Sequence, residues 1–216
     1  MIYLFDKDGR KTGVEKIEDR FGFGDKLGSP GNDKFGLKGR VIGYEIDKKG
    51  NKEKFLDKSN LIVYNGRLWA WHKLFNYNNG ILASYQPFWF GAGKAGVTSD
   101  GSNQPLVPND HDVDLYAPVI FDAANPAYAD MGKKKPVPQP GTFFVTQDII
   151  ALIYSIYIDY NELNEGGSVS LNELALYLSP TDGVNETEFL MLSHLCFGSK
   201  TKDPSTAYQF EWWLYI

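Results

Sequence analysis

The chain reads as an all-β protein, a mainly antiparallel sandwich or barrel with one short helix and extended loops. Three observations predict this. Aromatics make up 15% of the 216 residues and charged residues 23%, the balance of a β-inclined globule. Apolar and polar residues alternate at period two in many short runs. Clusters of Gly, Pro, Asn and Asp separate those runs, as in antiparallel sheets. The clearest run is Tyr208–Ile216, where Tyr208, Phe210, Trp212, Leu214 and Ile216 share one face and Trp213 and Tyr215 the other. So apolar a terminal run frays unless a sheet or a neighbouring subunit clamps it, so Trp212, Trp213 and Tyr215 are expected to be structural or interface residues.

The elements follow in order. Met1–Phe5 is a short strand closed by Asp6-Lys7-Asp8-Gly9. Glycines at 22, 24, 28, 31, 36 and 39, with Pro30, predict an irregular arm. Arg40–Ile46 and Lys52–Leu56 flank a turn at 47–51 and predict a hairpin, and Leu61–Tyr64 predicts a further strand. Leu68, Trp71, His72 and Phe75 follow helical spacing, with Asn65 as N-cap and Gly80 past the end. His72 on that stripe reads as a packed core histidine. Phe88–Phe90 begins a strand, residues 98–115 form a polar loop, and Tyr116–Phe121 is a brief strand. Residues 122–141 hold Pro126, Pro136, Pro138 and Pro140 and predict an extended, partly polyproline excursion able to lie along another chain. Phe143–Tyr160 predicts one or two central strands, covered on both sides from Ile149 to Ile158. Val169–Leu178, Phe189–Phe197 and the aromatic strand complete the sheet. Residues 1–39 thus divide as an N-terminal strand and Gly-rich arm, and residues 40–216 as a β-sandwich domain with a loop insertion at 98–141.

Several function classes lose ground. The net charge of −5 disfavours a nucleic-acid surface, and Lys133-Lys134-Lys135 reads as solvated loop. One cysteine, Cys196, excludes an intrachain disulfide and reads as a buried thiol. Charges from Asp6 onward do not resemble a signal peptide, and the run from Ile149 to Ile158 is too short to span a bilayer. A soluble, cytoplasmically made protein without membrane contact is expected.

Residues 91–96 match G-x-G-x-x-G, but Val97-Thr98-Ser99-Asp100-Gly101 cannot open a helix for a pyrophosphate, so a structural glycine turn is expected and no cofactor. Asp110, Asp112 and Asp114 alternate like calcium ligands, yet the sixth and twelfth loop places hold Leu115 and Phe121. Loop acids on a solvated face are the expectation, with a weak cation site as the rival. Ser193 and His194 are strand neighbours pointing to opposite faces and cannot form a dyad. Glu162, Glu165, Glu186 and Glu188 read as exposed turn acids. Trp69, Trp71, Trp89 and Tyr85 suggest a sugar platform, against a core or interface role. Glu173 lies between apolar neighbours on a strand, and Arg67 is the partner expected for it, in a bidentate pair tying the helix start to the sheet.

The order of segments resembles a known class. Ser59-Asn60-Leu61-Ile62-Val63-Tyr64-Asn65-Gly66-Arg67 leads into one short helix, and Phe90-Gly91-Ala92-Gly93 follows. Asn172-Glu173-Leu174-Ala175-Leu176-Tyr177, a strand at 192–197, Lys200 and the Trp-rich strand close the chain. Over residues 40–216 this resembles small virion proteins of tailed bacteriophages, found among tail, baseplate, neck and fibre-attachment components. The resemblance implies a structural, non-catalytic protein of the virion, without cofactor or metal, acting through interfaces with other virion proteins and with copies of itself. A carbohydrate- or receptor-binding module of the particle is the alternative. Interface or structural roles then fall to Arg67, Glu173, Trp212, Trp213, Tyr215, Pro136, Pro138 and Pro140.

Overall fold

The computed structural model describes residues 2–5, 11–15, 38–74, 86–122, 132–138, 142–145, 150–179 and 189–215. Among these residues, eleven antiparallel strands and one helix make up the regular structure. The strands are β1 (Ile2–Phe5), β2 (Lys11–Glu15), β3 (Lys38–Asp47), β4 (Lys52–Ile62), β5 (Gln86–Gly93) and β6 (Lys135–Pro136), then β7 (Thr142–Val145), β8 (Ile150–Ile158), β9 (Val169–Ser179), β10 (Leu190–Lys202) and β11 (Thr206–Tyr215). Helix α1 covers Tyr64–Leu74. The strands join in the order β2-β1-β7-β8-β11-β3-β4-β10-β9-β5-β6. This sheet curls on itself, so that β3, β8 and β11 face β5, β9 and β10 across a shared core. The all-β class with one short helix stands, as a curled, barrel-like sheet.

β11 lies centrally, paired along its whole length with β3 on one side and β8 on the other. Its alternation works as the sequence predicts. Tyr208, Phe210, Trp212 and Leu214 enter the main core, while Trp213 packs on the opposite face with Ile42 and Ala151. Phe90 of β5 meets Phe210 and Trp212 across the core at centroid distances of 5.5 and 6.2 Å. The clamp on the aromatic strand is therefore the sheet itself. Trp212 and Trp213 are buried, Tyr215 is half-buried, and none of the three presents an open interface.

Other expectations shift. Leu61–Ile62 continues β4 instead of forming a separate strand, because the hairpin partner β3 extends back to Lys38. The helix begins at Tyr64, one residue before the expected cap, and Val63 accepts from the Arg67 N–H. Its buried side carries Gly66 and Ala70, with Trp69 packed on the core. A Cβ at Gly66 would collide with the Leu192 carbonyl, so the glycine lets helix and sheet approach. The side chains of Trp71 and His72, and residues 75 and 80, lie outside the described residues. Tyr116–Phe121 forms no strand; only Pro118 bridges to Gly93. The greasy run of β8 buries Tyr154, Ile156 and Ile158 in the main core; its other face is covered at Ala151 and Ile153 and open at Tyr157, so the expected two-sided cover holds over part of the strand. Pro136 sits exposed in β6 opposite Trp89, and Pro138 is exposed beyond it. An edge position suits a residue that cannot donate to a ladder. Pro140, residues 16–37 and much of 122–141 lie outside the described residues.

Candidate functional site

Among the described residues, chemistry-bearing side chains converge on the outer face of β9 and β10, beneath residues 94–117. The construction starts in β9. Leu171 and Leu174 both enter the main core, so strict alternation slips at Asn172-Glu173. The ladder to β10 shifts there too: Glu173 pairs with Cys196, whereas Leu171 pairs with Lys200. This bulge turns Glu173 to the outer face beside Ala175 and Tyr177 and re-aims Asn172.

Glu173 is fully buried and closes the neck of the covering segment. Its Oε1 accepts from the backbone N–H groups of Ala95 and Ala117, and its Oε2 from Tyr116, each at 3.0 Å. One carboxylate thus gathers both ends of a long loop. Asn172 Oδ1 accepts from the Gly96 N–H at 2.6 Å, and its amide reaches Ser199 Oγ at 3.2 Å. The glycines of the 91–96 turn follow from this packing. A Cβ at Gly93 would overlap the Glu173 carboxylate, and one at Gly96 the Asn172 carbonyl. They admit a side-chain carboxylate and a strand backbone, as a structural turn requires.

His194 of β10 is the second anchor, fully buried. Its Nδ1 lies 2.7 Å from Asp112 Oδ2 and its Nε2 lies 3.4 Å from Glu173 Oε2. Cys196 Sγ is 3.8 Å from the same Nε2, and the Tyr116 ring stands edge-on at 5.1 Å. Ionised carboxylates only accept, so both ring nitrogens donate and the ring is an imidazolium. Burial alone would lower its pKa, but hydrogen bonds with Cys196, Glu173 and Asp112 lift it from 6.5 to about 10. Burial would likewise raise the Glu173 carboxyl, and the bonds from His194, Tyr116, Ala117 and Ala95 prevail and lower it.

Asp110 and Asp114 keep the solvated position expected of the alternating acids, Asp112 does not, and all three are engaged. Asp110 pairs with Arg67 Nη2 at 2.6 Å, Asp112 holds His194, and Asp114 accepts from the Tyr177 hydroxyl at 2.5 Å. Arg67 also donates to the Ile62 carbonyl at 2.8 Å. The expected Arg67–Glu173 pair is not formed: the bulge aims Glu173 at backbone amides and His194, while Arg67 faces the loop. Lys134 is buried over the Tyr177 and Phe189 rings, 3.8 Å from Asp114, and Lys135 grips both oxygens of Glu162. The basic run and Glu162 are therefore structural, and only Glu165 among the described turn acids is exposed, paired with Lys94 at 2.7 Å. Ser193 Oγ is buried without a hydrogen-bond partner among the described residues, on a different side from the His194 contacts. Cys196 is a buried thiol, as expected.

Sequence reasoning reached Glu173 but missed His194, whose partners stand 82 and 21 positions away. Among the described residues, no group of three or more His, Cys, Asp or Glu side chains is arranged to hold a metal ion, and no helix is long and apolar enough to cross a membrane. Of the aromatics considered as a sugar platform, Trp89 is buried and Trp69 packs on the core; Tyr85 and the Trp71 side chain lie outside the described residues. Comparison with protein-family models, with characterised proteins and with solved structures finds no match.

Proposed function

We propose that the chain is a non-catalytic structural protein of a tailed-bacteriophage particle, a tail, neck or baseplate component acting through protein–protein interfaces. The observation that supports this is how the motif residues behind the resemblance are used. Gly66 and Arg67 seat the helix on β10 and the loop, and Gly93 yields to Glu173. Asn172 and Glu173 pin the neck, and Lys200 pairs with Glu45 over the Phe55 ring. Every one of them fastens the fold, which suits a part whose task is to keep its shape within an assembly. Copies of the chain and other virion proteins are the partners in this reading, and the virion is its location.

The test is mass photometry and negative-stain microscopy of the purified protein, alone and with the products of neighbouring genes. Rings, multimers or defined complexes with tail proteins are expected. A monomer that engages none of them and binds glycans instead would overturn the reading. That second reading, a carbohydrate- or receptor-binding module, draws support from one spot on the outer sheet. The exposed Tyr157 ring lies directly across from Gln209, whose amide holds Ser155 Oγ at 2.8 Å, an aromatic plane beside polar groups. A glycan array with wild type and Tyr157→Ala separates the two.

A further inference from the structure

Residues 94–117 are attached to the sheet in an unusual way. Leu115 is their one buried apolar side chain. The other fastenings are polar: Glu173 binds three backbone amides, Asp112 meets His194, Asp114 Tyr177 and Asp110 Arg67, while Asn172 takes the Gly96 N–H, Asn103 the Ser199 N–H, the Asp110 carbonyl the Tyr64 N–H, and Lys94 pairs with Glu165. The two ends are held together by the Lys94 N–H to the Ala117 carbonyl at 2.9 Å, and Val119 and Phe121 beyond them enter the main core. A segment anchored at its neck and held elsewhere by polar contacts, with a single apolar side chain buried, is built to move as one piece.

We propose that residues 94–117 form a hinged cover latched by the His194 imidazolium between Asp112 and Glu173, and that loss of its proton frees the cover while the sheet beneath stays folded. The groups facing His194 are Asp112 and Tyr116 from the cover, Glu173 from β9 and Cys196 on β10 itself; across the β4 ladder it meets Leu61. Farther out, Asp110 pairs with Arg67, and Asp114 accepts from the Tyr177 hydroxyl and pairs with Lys134. A neutral imidazole has a single N–H, so one of the two carboxylates would face a lone pair in a buried site. The folded pKa lies above the unfolded one, so the latch holds in full below pH 6.5 and weakens as pH rises toward about 10. Opening uncovers the outer faces of β9 and β10, with Tyr177, His194 and Cys196. This inference stands apart from the virion reading and survives its failure.

Native-state hydrogen exchange of the full chain between pH 6.5 and 10, corrected for intrinsic rates, tests it. Protection of the amides bonded across the edge of the cover, Leu115 to the Tyr177 hydroxyl and Tyr64 to the Asp110 carbonyl, is expected to fall at least about tenfold, while amides of β11 keep theirs. Alkylation of Cys196, normalised to the unfolded chain at each pH, should rise in step. Asp112→Asn, which keeps the Glu173 contact, should move the fall to lower pH, and His194→Gln should leave the cover open and insensitive to pH. Joint loss of protection by cover and β11, a cover unchanged up to pH 10, or an unshifted Asp112→Asn profile would each overturn the proposal. If His194→Gln does not fold, the wild-type and Asp112→Asn curves decide alone.

Discussion

Replacing Glu173 by Gln removes one charge from the neck of the cover and changes almost no volume. The wild-type carboxylate accepts three backbone N–H bonds at 3.0 Å and faces the His194 ring. A glutamine oxygen can keep the Ala95 and Ala117 bonds, which both end on Oε1. Its NH2 group then sits where Oε2 was, donor against the donors Tyr116 N–H and His194 Nε2–H. Each lost bond to a charged acceptor is worth about 1.5–3 kcal/mol, and breaking a buried ion pair costs about 3–5 kcal/mol. The expected loss is about 3–5 kcal/mol, which for a chain of this size lowers Tm by roughly 6–20 °C. The pH dependence supplies an independent check. The folded Glu173 pKa lies below the reference value of 4.5, so its stabilisation is present above that pH and lost as pH falls through the lower folded value. Urea unfolding at a series of pH values should show a large gap between wild type and variant at about pH 6 that narrows progressively as pH falls below 4.5. A variant within about 1 kcal/mol of wild type at the higher pH would refute the neck role.

Gly96→Ala pushes a Cβ into the Asn172 carbonyl and is expected to cost about 1–3 kcal/mol by chemical denaturation, whereas Gly167→Ala meets open space and should be neutral within about 0.5 kcal/mol. NAD or ATP should leave Tm unchanged, since a true site at 91–96 would add about 2.7 kcal/mol at a hundredfold excess over Kd. Trp212→Ala, in the core against Phe90, is expected to lose about 3–5 kcal/mol in the same assay, and Tyr157→Ala on the outer face less than about 1 kcal/mol.

Period two carried most of the fold. It identified β9 and β11 (the apolar run from Ile149 to Ile158 marked β8), because alternate residues of each enter the main core. It failed where the backbone departs from that period. At Leu171-Asn172-Glu173-Leu174 the two leucines share the core at a spacing of three, a signal of the bulge that was present in the sequence. The polar stretch 98–115 looks solvated because the distant partners of its acids, Arg67, His194 and Tyr177, come from other elements and only the folded sheet assembles them. His194 was hidden for the same reason. Its neighbour Ser193 drew attention to a dyad, while the true contacts alternate with it at Cys196 and across at Glu173. The turn glycines were legible as structural, but what they accommodate was not.

The central place of β11 has a consequence for how the chain is made. Synthesis delivers residues 206–215 after β3 and β8 have already emerged, yet those two strands are joined to each other only through β11. Until it arrives, the nascent chain holds two facing backbones with open hydrogen-bonding edges, and β3 must wait for a partner more than 150 positions downstream. Such long-range closure is slow and leaves strand edges open to other chains. Any product interrupted before Thr206 would stay in that state permanently. It should collect in insoluble material, and the full-length protein should depend on chaperones in the interval before its last described strand seats.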